Sequence, residues 1–255
     1  MSTAVDVMLQ RTSIRRFRKD PVGEEILNRI LLAGQRTASP GGFQPYSLII
    51  VDDQEKRSKI GRITHQRFVE ESPAFILVCV DMRRFRMMLD HLGHDYHLRH
   101  SQGLYAKLFS IVEASMVAQN VATAALLMGL GSCFVGAVFY EMENVSNALN
   151  LPQGVIPFLG ICVGYPAESP PLRPRWPVGA VVHRNEYRDT ATEEIKEYLR
   201  VADEAMKQEG YYQKYSGKET TYTEHLKWKT RATGWIEEHD VAAKDFLIRN
   251  GLKLT

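Results

Sequence analysis

The chain has 255 residues, 44% hydrophobic and 24% charged, with 32 Lys and Arg against 30 Asp and Glu. This is the composition of a globular protein, and a formal net charge of +2 leaves no field for gripping a nucleic-acid backbone, which takes basic residues clustered on one face. Met1 to Leu9 carries Asp6 and lacks the apolar core of a signal peptide, and the most apolar stretch, Val121 to Gly131, falls short of the about 20 residues that span a bilayer, so a cytoplasmic protein with no membrane and no nucleic-acid partner is expected.

In chain order, the first long helix is expected over Glu24 to Arg36, where Ile26, Ile30 and Ala33 share a stripe and Gly23-Glu24-Glu25 after Pro21 makes a start. Strands are expected at Tyr46 to Val51, Ala74 to Asp81, Cys133 to Val138 and Pro157 to Tyr165. These runs are nearly continuous in apolar residues rather than alternating, which predicts strands covered on both faces. Between them, Leu104 to Met128 predicts a helix with two apolar stripes, Leu104-Leu108-Ile111-Ser115-Ala118-Ala122-Ala125 and Val112-Met116-Thr123-Leu126. A surface helix has one such stripe, so this one belongs at the centre, partly covered by a second subunit. After Gly164 the Tyr165-Pro166-Ala167-Glu168-Ser169-Pro170-Pro171 segment is a stiff, extended connection. Thr192 to Glu209 and Tyr222 to Arg249 then predict charged helices with thin apolar stripes, an arm rather than a second core. Cys79, Cys133 and Cys162 sit singly in apolar runs, too few for a disulfide framework and without metal spacing, which makes them buried structural thiols.

Four segments can carry chemistry. In extended backbone Arg11, Ser13 and Arg15 of Arg11-Thr12-Ser13-Ile14-Arg15 project the same way. Two guanidinium forks and a hydroxyl form an anion cradle, or else a solvated basic patch. Arg173-Pro174-Arg175 holds two arginines apart on a proline-stiffened segment, as a second cationic site or a polar loop. Ser39-Pro40-Gly41-Gly42-Phe43-Gln44-Pro45-Tyr46 lets backbone amides approach a ligand, or is a plain glycine-capped turn. Gly129-Leu130-Gly131-Ser132-Cys133-Phe134-Val135-Gly136-Ala137 has the wrong glycine spacing and the wrong helix-strand order for a dinucleotide fingerprint. Nucleophile elbows, Walker loops and zinc motifs are absent from the sequence, and such an enzyme borrows its chemistry from a cofactor.

In their order and spacing these four segments resemble the nitroreductase and flavin reductase family of FMN enzymes, and most of all its larger NADPH-using branch with a long C-terminal region. The likeness covers residues 5 to 190 well and the tail loosely. It implies an α+β fold in three layers, a mixed but mostly antiparallel sheet flanked by helices, with a core over residues 1–189 and a helical extension over 190–255 that packs on a dimer. It further implies FMN as cofactor, NADPH or NADH as co-substrate, and ping-pong hydride transfer to nitroaromatics, quinones or flavins; the other reading is a flavin carrier or sensor with incidental turnover. On this resemblance Arg11, Ser13, Arg173 and Arg175, with Thr12 beside them, hold the FMN phosphate. Arg15 sits by the flavin N1 and O2, and Gln66 bonds the ring's polar edge. Val135, Gly136 and Ala137 face N5, and Ser39 reaches the flavin across a homodimer interface. No residue of the protein is itself expected to be catalytic and no metal is expected.

Two features depart from the family pattern. Gly42 stands where the family often has Asn, two residues before Gln44. The tail offers Lys214 and Lys218 around Tyr215-Ser216-Gly217 in place of an arginine pair for the NADPH 2′-phosphate, so NADPH and NADH both stay open. His91, His94, His97 and His100, with Asp90 and Asp95, read as a charged segment, over the flavin face or simply solvated, rather than as a metal site.

Overall fold

Four apolar runs pair into one sheet. In the computed structural model, which describes residues 3–93, 104–231 and 235–252, these are β1 (Tyr46–Ile50), β2 (Ala74–Asp81), β3 (Gly131–Val135) and β4 (Val155–Gly164), in the order β1-β2-β4-β3. Among the described residues all three strand pairings are antiparallel, and the mixed character expected of the sheet is confined to one parallel bridge, Ser13 to Ser132. The helices are α1 (Ala4–Leu9), α2 (Glu24–Gln35), α3 (Gln54–Ile63), α4 (Arg67–Glu71), α5 (Met82–His91), α6 (Leu104–Leu127), α7 (Ala137–Tyr140) and α8 (Met142–Leu149), then α9 (Val178–Val181), α10 (Thr192–Glu209), α11 (Tyr211–Ser216), α12 (Tyr222–Lys229) and α13 (Trp235–Arg249). The segment from His94 to Gly103, with three of the four spaced histidines, lies outside the described residues.

The chain forms two compact units, Met1–Ser169 with His239–Thr255, and Pro170–Glu238. The final stretch of the chain belongs to the first unit. There Phe246 and Leu252 enter the main core, and the Asn250 side chain accepts the Gly154 amide at 3.1 Å, at the head of β4.

Every residue of β2 is buried, and its side chains divide between two cores as a strand's alternation requires. Ile76, Val78 and Val80 meet Ile30 of α2 and Ala114, Val117 and Val121 of α6 on one face. Phe75, Leu77 and Cys79 meet Ile60 of α3, Val69 of α4 and Val138 and Val145 on the other. The expectation of strands covered on both faces holds for this strand.

Helix α6 is longer in its apolar character than the Val121 to Gly131 stretch that the sequence suggested. By length and composition alone it could cross a membrane. Its setting is that of a core helix, since its face from Ala114 to Ala125 packs into the main core with β2 and β4. Its N-terminal half keeps Tyr105, Leu108, Phe109 and Val112 exposed. The single helix expected over Tyr222 to Arg249 is two helices. Strand β3 begins two residues before Cys133 and stops at Val135, and Ala137-Val138, expected as strand, open α7 instead.

In the second unit, Trp176 stacks on Tyr198 with ring centroids 4.0 Å apart. Tyr212 is buried there, and the Asp203 carboxylate accepts the Thr223 amide at 2.8 Å. These contacts give the arm a small aromatic core of its own.

Candidate functional site

The Arg11–Arg15 segment is laid against β3 by one buried residue. Ile14 is 7% exposed, its amide donates to the Ser132 carbonyl at 3.0 Å, and its side chain fills the place a Cβ on Gly131 would occupy, with Ile14 atoms 2.6, 2.8 and 3.0 Å away. Gly131 is therefore a close-approach glycine. With Ile14 turned into the sheet, alternation sends Arg11, Ser13 and Arg15 to the other side. The Arg11 Nη1 donates to Ser13 Oγ at 3.5 Å, and the Arg11 guanidinium lies 5.6 Å from the Phe134 ring centre. Thr12 and all three polar residues of the motif are half-buried.

Beneath them lies Cys133, in register with Cys162 across β3 and β4. Burial pushes the Cys133 thiol up, while the Arg15 and Arg11 charges and the Ser13 hydroxyl pull it down and Glu168 pushes it up again. Arg11, Ser13, Arg15 and Glu168 thus bear on one spot of the sheet. All three cysteines are free and buried, and burial also pushes the Cys79 and Cys162 thiols well above their ordinary range, which suppresses thiolate reactivity.

At the end of β3, Val135 is buried and Gly136 turns into α7 with ordinary helical φ −67°. A Cβ placed on Gly136 meets nothing within 4 Å, so its backbone borders open space, and Ala137 follows half-buried. Gln66 is the half-buried N-cap residue of α4, its amide donating to the Gly61 carbonyl at 2.9 Å.

The Ser39 loop is wound by three left-handed residues, Gly41 (φ 61°), Gly42 (φ 69°) and Gln44 (φ 48°). Gly and Asn both enter this region readily, so Gly42 in place of the family's Asn keeps the local shape. The Ser39 Oγ accepts the Gln44 amide at 3.1 Å. Arg84 ties the loop's exit by donating to the carbonyls of Gln44 and Tyr46. Gln35, Phe43, Gln44, Tyr46, Arg84 and Phe85 are among the residues around an open cavity of ≈ 500 Å³ beside this loop.

In the second unit Arg173 forms an ion pair with Glu209, and its guanidinium lies 4.2 Å from the Tyr211 ring centre. Arg175 is exposed, with its Nη1 folded back on the Pro174 carbonyl at 3.1 Å. Pro174 thus separates one engaged arginine from one that faces solvent.

Two carboxylates escaped the sequence reading. Glu168 accepts the amides of Arg15 and Arg16 on one oxygen; its only sequence signal is its place in the proline-rich connection. Glu113 on α6 is fully buried, and neither of its oxygens has a hydrogen-bond partner among the described residues. Burial raises its pKa, and the nearby Ser39 hydroxyl opposes that rise. An acid amid the apolar residues of a core helix was the signal for it. Among the described residues no group of three His, Cys, Asp or Glu is placed to hold a metal ion.

Residues 8–165 match the model of the nitroreductase family, and residues 173–255 match that of the nitroreductase family C-terminal domain. The chain belongs to the nitroreductase family. The family match spans the sheet, the Arg11–Arg15 segment and the Ser39 loop of this nitroreductase-like α+β fold. A Cr(VI) reductase from Pseudomonas sp. (strain G-1) is 32% identical over 249 residues, covering 96% of this chain and 97% of that protein. The FMN reductase [NAD(P)H] of Bacillus subtilis (strain 168) is 28% identical over 256 residues, 100% of this chain and 99% of its own. The structure of the NADPH:FMN oxidoreductase from Vibrio harveyi, complexed with NAD+, superposes with a TM-score of 0.80 at 26% identity and covers 99% of both chains.

Proposed function

We propose that this nitroreductase-family protein is an FMN-dependent NAD(P)H oxidoreductase that reduces small acceptors such as nitroaromatics, quinones or flavins, and that it works as a cytoplasmic homodimer. The observation that carries the reading is the Arg11-Ser13-Arg15 face, held on β3 by the seating of Ile14 at Gly131. On one side of a fixed backbone, the Arg11 guanidinium and the Ser13 hydroxyl are donors that a phosphate monoester takes, and the Arg15 guanidinium two residues on adds a cation for the ring. The open space over Gly136 leaves room for a planar ring against the backbone at the end of the same strand.

The residues present fit FMN, and each has a part. Arg11, Ser13, Arg173 and Arg175, with Thr12 beside them, hold the phosphate. Arg15 brings positive charge to the pyrimidine edge, where reduction places negative charge. Gln66 bonds the ring's polar edge, Val135, Gly136 and Ala137 offer backbone to its reacting face, and Ser39 contacts it from the partner protomer. When bound, FMN supplies two-electron hydride chemistry between a reduced nicotinamide and an acceptor that take turns at one place, a ping-pong scheme.

The homodimer rests on uncovered apolar surface. Tyr105, Leu108, Phe109 and Val112 of α6 and Val5, Met8 and Leu9 of α1 are exposed, and α1 packs on α6. An apolar face of this kind marks an interface, and a two-fold pair is the simplest closed assembly; the helical arm from residue 190 then extends along the partner.

The purified protein is expected to be yellow and to release FMN on denaturation, identified by chromatography. Release of FAD, or no flavin retained after reconstitution with FMN, would overturn the assignment.

A further inference from the structure

Ile14 on Gly131 holds the Arg11–Arg15 segment near its C-terminal end, but that contact leaves the next two residues to be fixed by something else. The chain from Arg16 onward runs antiparallel to Tyr165–Glu168. Ala167 donates to the Arg16 carbonyl at 2.9 Å, Arg18 donates to the Tyr165 carbonyl at 2.8 Å, and Phe17 bridges Pro166. Among the described residues this short ladder offers no main-chain acceptor for the amides of Arg15 and Arg16. Both are taken by a single side-chain atom, Glu168 Oε1, at 2.7 and 3.0 Å and across about 150 residues of sequence.

We propose that Glu168 is the positioning residue for Arg15. Its carboxylate clamps the Arg15 and Arg16 amides to aim the arginine, and its negative charge tempers the field that the arginine applies. A carboxylate accepting two adjacent N–H groups is a charge-assisted fork that fixes the intervening φ and ψ. Glu168 thus sets the direction in which the Arg15 side chain leaves the backbone. The opposed effects of Arg15 and Glu168 on the Cys133 thiol place both charges within reach of the same stretch of β3. The charge part of the inference rests on the flavin reading given above; the clamp does not.

Glu168→Gln and Glu168→Ala separate the two parts. Glutamine retains an oxygen that can accept both amides but carries no charge, whereas alanine removes both. In the full chain without added flavin, amide exchange at Arg15 and Arg16 is expected to quicken by on the order of tenfold or more in E168A, with β2 and β4 unchanged, and to return most of the way to native in E168Q. Unchanged exchange at these two amides in E168A, or a gain spread evenly through the sheet, would overturn the clamp. In the FMN-loaded protein, E168Q is expected to favour the reduced flavin about tenfold, a rise of about 30 mV in the two-electron potential, because a negative charge near the reduced ring is gone. A potential that stays put or falls would overturn the tempering role. Native protein that takes up no FMN would sink the flavin reading and with it the charge part, while the exchange result would still decide the clamp.

Discussion

Replacing Gly131 by Ala adds one methyl group at the point where the Arg11–Arg15 segment meets β3. The new Cβ would lie 2.6 Å from Ile14 Cγ1, 2.8 Å from its Cβ and 3.0 Å from its Cγ2. Cβ is the branch point and cannot rotate away, so the main chain of the segment has to shift. Inserting a methylene into a packed site costs about 1–3 kcal/mol, and here the strain falls on the Ser13–Ser132 bridge and the Ile14 amide bond to Ser132. Urea denaturation is expected to show that loss at unchanged m-value, and titration of the flavin-free protein with FMN to show weakened affinity. Ile14→Ala in the G131A background removes Cγ1 and Cγ2 but leaves Cβ, so it is expected to recover part of the strain while forfeiting buried apolar area. The two substitutions should therefore couple in a double-mutant cycle. G131A with native stability and native flavin affinity, or two strictly additive substitutions, would refute the claim that Ile14 on Gly131 seats the phosphate-binding face.

Gly136→Ala tests the opposite case. With no atom within 4 Å of the added Cβ its stability should stay within about 0.5 kcal/mol of native, while FMN affinity and turnover fall; unchanged turnover would show that the space is not used. Arg175→Ala should weaken FMN binding by about 2 kcal/mol or more, through loss of charge-assisted bonds to phosphate, and an unchanged titration would leave Arg173-Pro174-Arg175 as a solvated loop. Glu113 is buried with its pKa raised, so the folded protein keeps that proton to higher pH than the unfolded chain does. Its burial carries no ionisation cost below the unfolded carboxylate's pKa, and the destabilisation grows as pH rises through the raised folded value. Glu113→Gln should thus leave stability at acidic pH unchanged and raise it by about 1 kcal/mol at neutral pH, and a loss at neutral pH would contradict this. Light scattering should report twice the 29.0 kDa chain mass, and a monomer at micromolar concentration with FMN fully bound would rule out the dimer.

The parts of the fold that were legible in the sequence are those set by local patterning. Ala74 to Asp81 reads as a strand covered on both faces because its apolar run is nearly continuous, and all eight side chains are buried; Thr192 to Glu209 reads as a helix over the same residues that form it. Patterning misled where a distant contact decided. Gly131-Ser132 has no strand propensity, yet it opens β3 because Ile14 needs a bare backbone to lie on. Ala137-Val138 looks like the end of a strand but turns into α7, which carries Val138 into the second core. At the site, the two-residue alternation that puts Arg11 and Ser13 on one side was visible from spacing alone. Glu168 was not, because its role exists only once residues 15 and 168 meet. Glu113 carried a signal, an acid amid the apolar residues of α6, but its burial shows only once the helix is packed.

Nicotinamide-driven reduction of bound FMN is the proposed work of this protein, and rapid mixing decides whether it occurs. The FMN-loaded protein, mixed anaerobically with NADPH or NADH, should lose its yellow flavin absorbance quickly. Later addition of a quinone or nitroaromatic should restore that absorbance at a rate compatible with steady-state turnover. Bleaching that is slow with both nicotinamides, beside tight FMN binding, would contradict the account and describe a flavin carrier instead.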